Sequence, residues 1–124
     1  MSSLVALLGR VLMCAIFIEA GFGKLMNFPN TITYMGNEGL PLPWVTAIIV
    51  IIIELAGGLA LLVGFRVRLL GVLFAVYCVA TAFIAHYYPG DTNQMIHFMK
   101  NICMAGGFLQ LAAWGGGRYV VTRG

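Results

Sequence analysis

The sequence predicts an all-α integral membrane protein, a four-helix bundle with both termini in the cytoplasm. Three observations carry this. The 124 residues are 61% hydrophobic and only 9% charged, against about a quarter charged in a soluble domain. Four apolar runs recur along the chain, each near the roughly 20 residues that cross a bilayer core. All four prolines, Pro29, Pro41, Pro43 and Pro89, fall between those runs, so no run loses a backbone donor inside it. Backbone groups in lipid must be satisfied within their own segment, so the runs read as helices. The mean hydropathy of +0.98 agrees, and the length suits one membrane domain over residues 1–124.

The first span covers about 4–25. Its start, MSSLVALLGR, lacks a basic leading segment, and its apolar run outlasts a signal peptide, so it reads as a span and not a cleaved leader. The loop that follows, Met26 to Pro43, is long. Within it, Pro29 to Gly36 suits a short interfacial helix, with Ile32 and Met35 spaced to dip into the membrane surface. The second span is about 44–63, the third about 68–86 and the fourth about 96–114. A polar loop, His86 to Met95, separates the last two. Ala56-Gly57-Gly58 before Gly64 and Arg66 is echoed by Ala105-Gly106-Gly107 before Gly115 and Arg118. This suggests two hairpins of one orientation, with the small residues allowing helices to approach closely.

Orientation follows from the basic residues. Arg66 and Arg68 lie in the second loop, Arg118 and Arg123 in the C-terminal tail, and Arg10 in the first half of the first span. The positive-inside rule puts these in the cytoplasm. Tyr34, Trp44, Tyr87 and Tyr88 would then mark the outer interface, and Trp114 and Tyr119 the inner one. The net charge of +3 comes from no basic run, which argues against nucleic acid as a partner. Cys14, Cys78 and Cys103 stand apart inside apolar runs and read as small buried hydrophobes. No pair of them suits a thiol–disulfide relay.

The candidate site rests on charges where charge is expensive. Arg10, Glu19, Glu54 and Lys100 all fall inside apolar runs, and an ionisable residue at that depth needs a partner or a water-lined cavity. With the helix ends taken as level, Glu19 lies about 9 Å below the outer surface, Glu54 about 15 Å, and Lys100 and Asn101 about 6–8 Å. These groups converge in the outer half of the bundle. Glu54 shares a helical face with Ile51, Gly57, Gly58 and Leu61, and Glu19 with Ala15 and Gly23. The expected pairs are Glu54 with Lys100 or Arg10, and Glu19 with Lys24 or Lys100; Arg10 has the alternative of snorkelling inward. Tyr77 and Thr81, four residues apart, can present hydroxyls to the same cavity. Glu54 and Lys100 are therefore the candidate catalytic residues, and Arg10, Glu19, Tyr77 and Asn101 the candidate ligand-binding residues. His86 and His97 read as interface residues, and no mid-membrane histidine pair suits a haem. No metal site is expected, and Gly21-Phe22-Gly23-Lys24 has the wrong spacing for a phosphate loop.

At this point the chain resembles the DoxX family of small four-helix membrane proteins. The residues that carry the likeness are Gly9-Arg10, Gly21-Phe22-Gly23-Lys24-Leu25, Thr33-Tyr34-Met35 and Gly39-Leu40-Pro41. They continue with Glu54-Leu55-Ala56-Gly57-Gly58, Gly64-Phe65, Phe98-Met99-Lys100-Asn101, Ala105-Gly106-Gly107 and the glycines 115–117. The resemblance implies a bundle in the cytoplasmic membrane and a link to redox chemistry, since the family takes its name from a subunit of a thiosulfate:quinone oxidoreductase. A redox role here would run through a quinone, ubiquinone or menaquinone, and a redox partner subunit, because the chain carries no cysteine pair and no intrinsic cofactor motif. The alternatives are a small-solute or proton-coupled transport or binding protein, for which four helices call for a homo-oligomer, and a membrane scaffold that recruits a redox enzyme.

Overall fold

A computed structural model of the chain describes residues 2–122; Arg123 lies outside them. Among these the structure is helical, with no strand. The helices are α1 (Ser2–Met26), α2 (Phe28–Asn37), α3 (Pro43–Ile51), α4 (Gly58–Val63), α5 (Val67–Ala85) and α6 (Thr92–Trp114). A π-helical segment, Ile52–Gly57, joins α3 to α4 without a break, so the two form one rod. Three stretches are long and apolar enough to cross a membrane: Ser3–Met26, Pro43–Val63 and Val67–Ala85. The fourth expected span is a helix of 23 residues, but Gln94, His97, Lys100, Asn101 and Gln110 make it more polar than the other three.

α1 packs along the α3–α4 rod, and α5 packs along α6. The two pairs meet through Phe17, Phe74 and Phe108, whose ring centroids lie 4.9, 5.6 and 5.1 Å apart. These rings and their buried neighbours Cys14, Leu61, Ala75 and Cys78 form the core. Cys14 and Cys78 are thus the small buried hydrophobes expected, whereas Cys103 is exposed, because it lies off the buried face of α6 set by Asn101, Ala105 and Phe108. Much of the remaining apolar surface is exposed, Leu12 at 75% and Val76 at 62% among it, as suits helices whose outer faces meet lipid.

Two glycines fix the packing. A Cβ on Gly21 would stand 2.7 Å from the Leu55 backbone nitrogen, so only glycine lets α1 lie against the π segment. Gly64 ends α4 at φ +87°, where a side chain would strain the backbone. The chain after α6 folds back under this turn. Val121 N–H donates to the Val63 carbonyl at 3.1 Å, and Arg66 N–H donates to Thr122 Oγ1 at 2.9 Å. This is the tail end of the bundle; the other is the α2 end.

Boundaries moved where capping outweighed hydropathy. α6 begins at Thr92, four residues before the expected 96, because Asp91 accepts from the Gln94 backbone N–H at 3.2 Å and so satisfies one of the free donors of the first turn. The expected short helix in the first loop is present as α2. Its buried residues are Thr31 and Met35, so Met35 turns into the protein and not into the membrane surface. The reason is that α2 packs on α3 and is tied to α1 by Thr31 Oγ1, within 3.1 Å of both the Lys24 and Asn27 carbonyls.

Candidate functional site

A cavity of about 400 Å³ occupies the α2 end of the bundle. Its walls are apolar: Ile16 and Ala20 from α1, Ile49 and Ile53 from the second rod, and Ile84 from α5 are among them. Phe17 stands at its floor, so the aromatic layer closes it towards the tail end. Met35 and Tyr34 of α2 cover it from the other side. Ile16, Ile49 and Ile84 are 39–51% exposed, so the cavity opens sideways between helices onto the apolar surface.

The polar groups of the cavity are few and connected. Glu54 is buried, and each of its carboxylate oxygens has a partner. Lys24 Nζ donates to Oε1 at 2.7 Å, and the Tyr77 hydroxyl donates to Oε2 at 2.7 Å. Close by, Asn101 Nδ2 donates to Thr81 Oγ1 at 3.0 Å, and that hydroxyl donates in turn to the Tyr77 carbonyl at 2.9 Å. Glu54 sits inside the π segment, where the extra residue in the turn re-aims the side chains; such bulges recur at functional sites. Ile51, Glu54, Gly58 and Leu61 are buried together, and Gly57 faces Phe74, so the face expected of Glu54 is the one that packs inward.

Each expected site residue has a place, but not each expected pair. Glu54, Tyr77 and Asn101 line the cavity, and Lys100 stands exposed at its rim, 3.4 Å from His97 Nδ1. Glu54 meets Lys24, not Lys100 or Arg10. The level-ended placement misjudged depth. The Gly21–Leu55 contact puts α1 Gly21, five residues from its end, beside a residue twelve from the start of α3. α3 therefore projects beyond α1 by about 10 Å. α2 fills that step, and Lys24 comes to within a turn of Glu54. Arg10 takes the inward alternative. It is 1% exposed, at the tail end, donating from Nη1 to the Gly116 carbonyl at 3.1 Å and from Nη2 to the Tyr119 carbonyl. Glu19 is exposed on a shallow groove of α1 and makes no ion pair or hydrogen bond among the described residues. Its expected partner Lys24 is taken by Glu54, and Lys100 lies on another face of the bundle.

The cover carries a polar fastening. The Tyr88 hydroxyl donates to Glu38 Oε2 at 3.3 Å, linking the end of α2 to the loop before α6. The Glu38 carboxylate pushes the Tyr88 phenol above its ordinary range; burial, then Glu38, does the same to Tyr34. The Tyr88 phenol thus stays a protonated donor, and its hydrogen bond to Glu38 is lost as pH rises through the raised value. His86 Nδ1 lies 2.9 Å from Gln94 Oε1, and the His86 and His97 rings sit 5.4 Å apart at the same end.

Chemically, the site offers an ammonium with free donors, a carboxylate and a phenol in one chain of hydrogen bonds, beside an apolar chamber. It can orient a flat, mostly apolar molecule by its polar atoms and exchange a proton with it. Lys24 was expected as a partner of Glu19 and not as a member of the cavity. The available signal was its place after Gly21, the close-packing residue, at the end of a span.

The DoxX family model matches residues 5–87, which hold Lys24, Glu54 and Tyr77. The chain is similar to Inner membrane protein YphA of Escherichia coli (strain K12), 40% identical over 122 residues, covering 94% of this chain and 87% of the relative. It is similar also to Inner membrane protein YqjF of the same organism, 39% identical over 120 residues, covering 94% and 88%. A shorter match, 39% over 70 residues, covers 56% of this chain and 51% of "Putative oxidoreductase CatD" of Bacillus subtilis (strain 168). No solved structure matches the chain. With two inner membrane relatives aligned over nearly their whole lengths, and three apolar helices long enough to span, this is a multi-pass protein of the inner membrane, and it belongs to the DoxX family.

Proposed function

We propose that this chain is the membrane component of a quinone-linked oxidoreductase system and that its cavity holds the quinone ring. The observation that carries the reading is the lateral opening: an apolar chamber, entered between helices through Ile16, Ile49 and Ile84, with its polar groups gathered at Glu54. A lipid-soluble ligand reaches such a site from the bilayer without crossing water. The name of the partial relative from Bacillus subtilis supports a redox setting. Quinone reduction takes two electrons and two protons. The electrons come from a partner subunit; one proton passes along the hydrogen-bonded Lys24–Glu54–Tyr77 chain, and the second comes from water at the α2 end. Lys24 and Asn101 keep donors free to hold the quinone oxygens. A transport pathway fits less well, since the Phe17–Phe74–Phe108 layer closes the cavity floor.

In this reading α6 crosses the membrane as a fourth span. Arg10, Arg66, Arg68 and Arg118 gather at the tail end, while Glu38 and Asp91 lie at the α2 end. The positive-inside rule then places the tail end in the cytoplasm.

Mass spectrometry of small molecules released from protein purified in mild detergent tests the site. Ubiquinone or menaquinone is expected near one per chain, and largely lost in Glu54→Gln and Lys24→Met. Recovery of bulk lipid alone, with no quinone uptake on titration, would overturn the reading in favour of a scaffold.

A further inference from the structure

Two membrane-level charges have no opposite charge beside them among the described residues. Among the described residues Glu19 makes no ion pair or hydrogen bond, and the Lys100 ammonium has a polar contact with His97 alone. An ion at that depth is expensive unless paired. The two lie at one level. Met13 of α1 faces Gly107 of α6, and Arg10 holds Gly116, so the helices run antiparallel. Seven residues on from that contact along both helices, Lys100 comes level with residue 20, next to Glu19. Yet they cannot meet within one chain. α1 buries Arg10, Cys14, Phe17 and Gly21, and Glu19 falls midway between Phe17 and Gly21 in sequence, about 200° round the helix from each. Lys100 sits on the other flank, on the edge of α6 that Gly107 turns towards α1. Between them runs an exposed apolar strip of α1, Leu8, Leu12 and Ile16, at 55%, 75% and 39% exposure.

We propose that this strip is the contact with a second copy of the chain. In a two-fold pair centred on it, Glu19 of each copy meets Lys100 of the other, so one symmetric contact closes both unpaired charges. Charge complementarity at equal depth commits the surface to a self-contact, because the face that needs a cation and the flank that needs an anion belong to the same molecule. Ile16 also borders the cavity, so the contact closes that side and leaves the side of Ile49 and Ile84 as the opening.

The test is charge reversal in the full chain, carrying two different tags, read by co-purification in mild detergent and by photobleaching steps in phospholipid vesicles. Wild type is expected to pair. Glu19→Lys and Lys100→Glu should each weaken self-association by at least about tenfold. Co-expressed, these two variants should pair with one another at the wild-type level, since both charge contacts are then restored. A chain carrying both reversals should pair with itself. If a single reversal fails to accumulate alone, its rescue by the complementary variant supports the contact and lack of rescue overturns it. Wild-type chains that stay single at all protein-to-lipid ratios, or single reversals that pair as well as wild type, would also overturn it.

Discussion

Glu54 shows how a single side chain organises a membrane site. Its two oxygens are held by donors of different kinds, the Lys24 ammonium and the Tyr77 hydroxyl, both at 2.7 Å. Removing the cation strands a buried carboxylate. Breaking a fully buried pair costs about 3–5 kcal/mol. Lys24 is 28% exposed, so the screened value falls towards about 2 kcal/mol. Lys24→Met should lower the thermal midpoint in detergent, and adding Glu54→Gln should recover at least half of the loss, because the stranded charge is then gone. A double variant as unstable as the sum of the single ones would show that the two side chains act separately. Glu54 itself was legible as a lone charge in an apolar run. Its partner was not, because the pairing depends on an axial offset between helices that no local pattern encodes.

At the scale of elements, the offset is set by one close contact. Gly21 lets α1 touch Leu55, which fixes the step that α2 fills and brings Lys24 to Glu54. Gly21→Ala places a Cβ against backbone, which cannot yield as a flexible side chain would. The expected cost is about 1–3 kcal/mol, with quinone retention reduced as Lys24 shifts. Gly9→Ala in the same helix meets nothing within 4 Å and should be close to neutral or mildly stabilising. Thermal unfolding of the two variants side by side checks this; equal effects would remove the argument. The spans were readable from hydropathy. The π segment was not, since Ile52–Gly57 contains no proline or charge pattern that distinguishes it from α-helix. The start of α6 was readable in principle from Asp91 and Gln94, a capping pair that hydropathy alone passes over.

Across the whole molecule, the tail end is closed by Arg10. Its guanidinium reaches from α1 to the carbonyls of Gly116 and Tyr119, and holds the returning chain beneath the α4–α5 turn. Hydrogen bonds from a charged donor are worth about 1.5–3 kcal/mol each, so Arg10→Leu should release the tail. Trypsin cleavage at Arg118 is expected to speed up by about tenfold or more. In the proposed orientation it does so in inverted vesicles and not in right-side-out ones. Cleavage from the opposite side would reverse the orientation, and an unchanged rate would deny Arg10 its role as the clasp.

By itself the sequence determined the helical class, the three strongly apolar spans, the short loop helix and Glu54 as a lone charge that needs a partner. Each of these follows from local composition measured against the thickness and polarity of a bilayer. The tertiary structure decided which charges meet. Lys24 rather than Lys100 holds Glu54, Arg10 serves the tail and not the cavity, and Glu19 faces outward. Pairing across helices depends on axial shift and rotation to within a few ångströms. Those are set by contacts such as Gly21 on Leu55 and the Phe17–Phe74–Phe108 layer, between residues far apart in the chain.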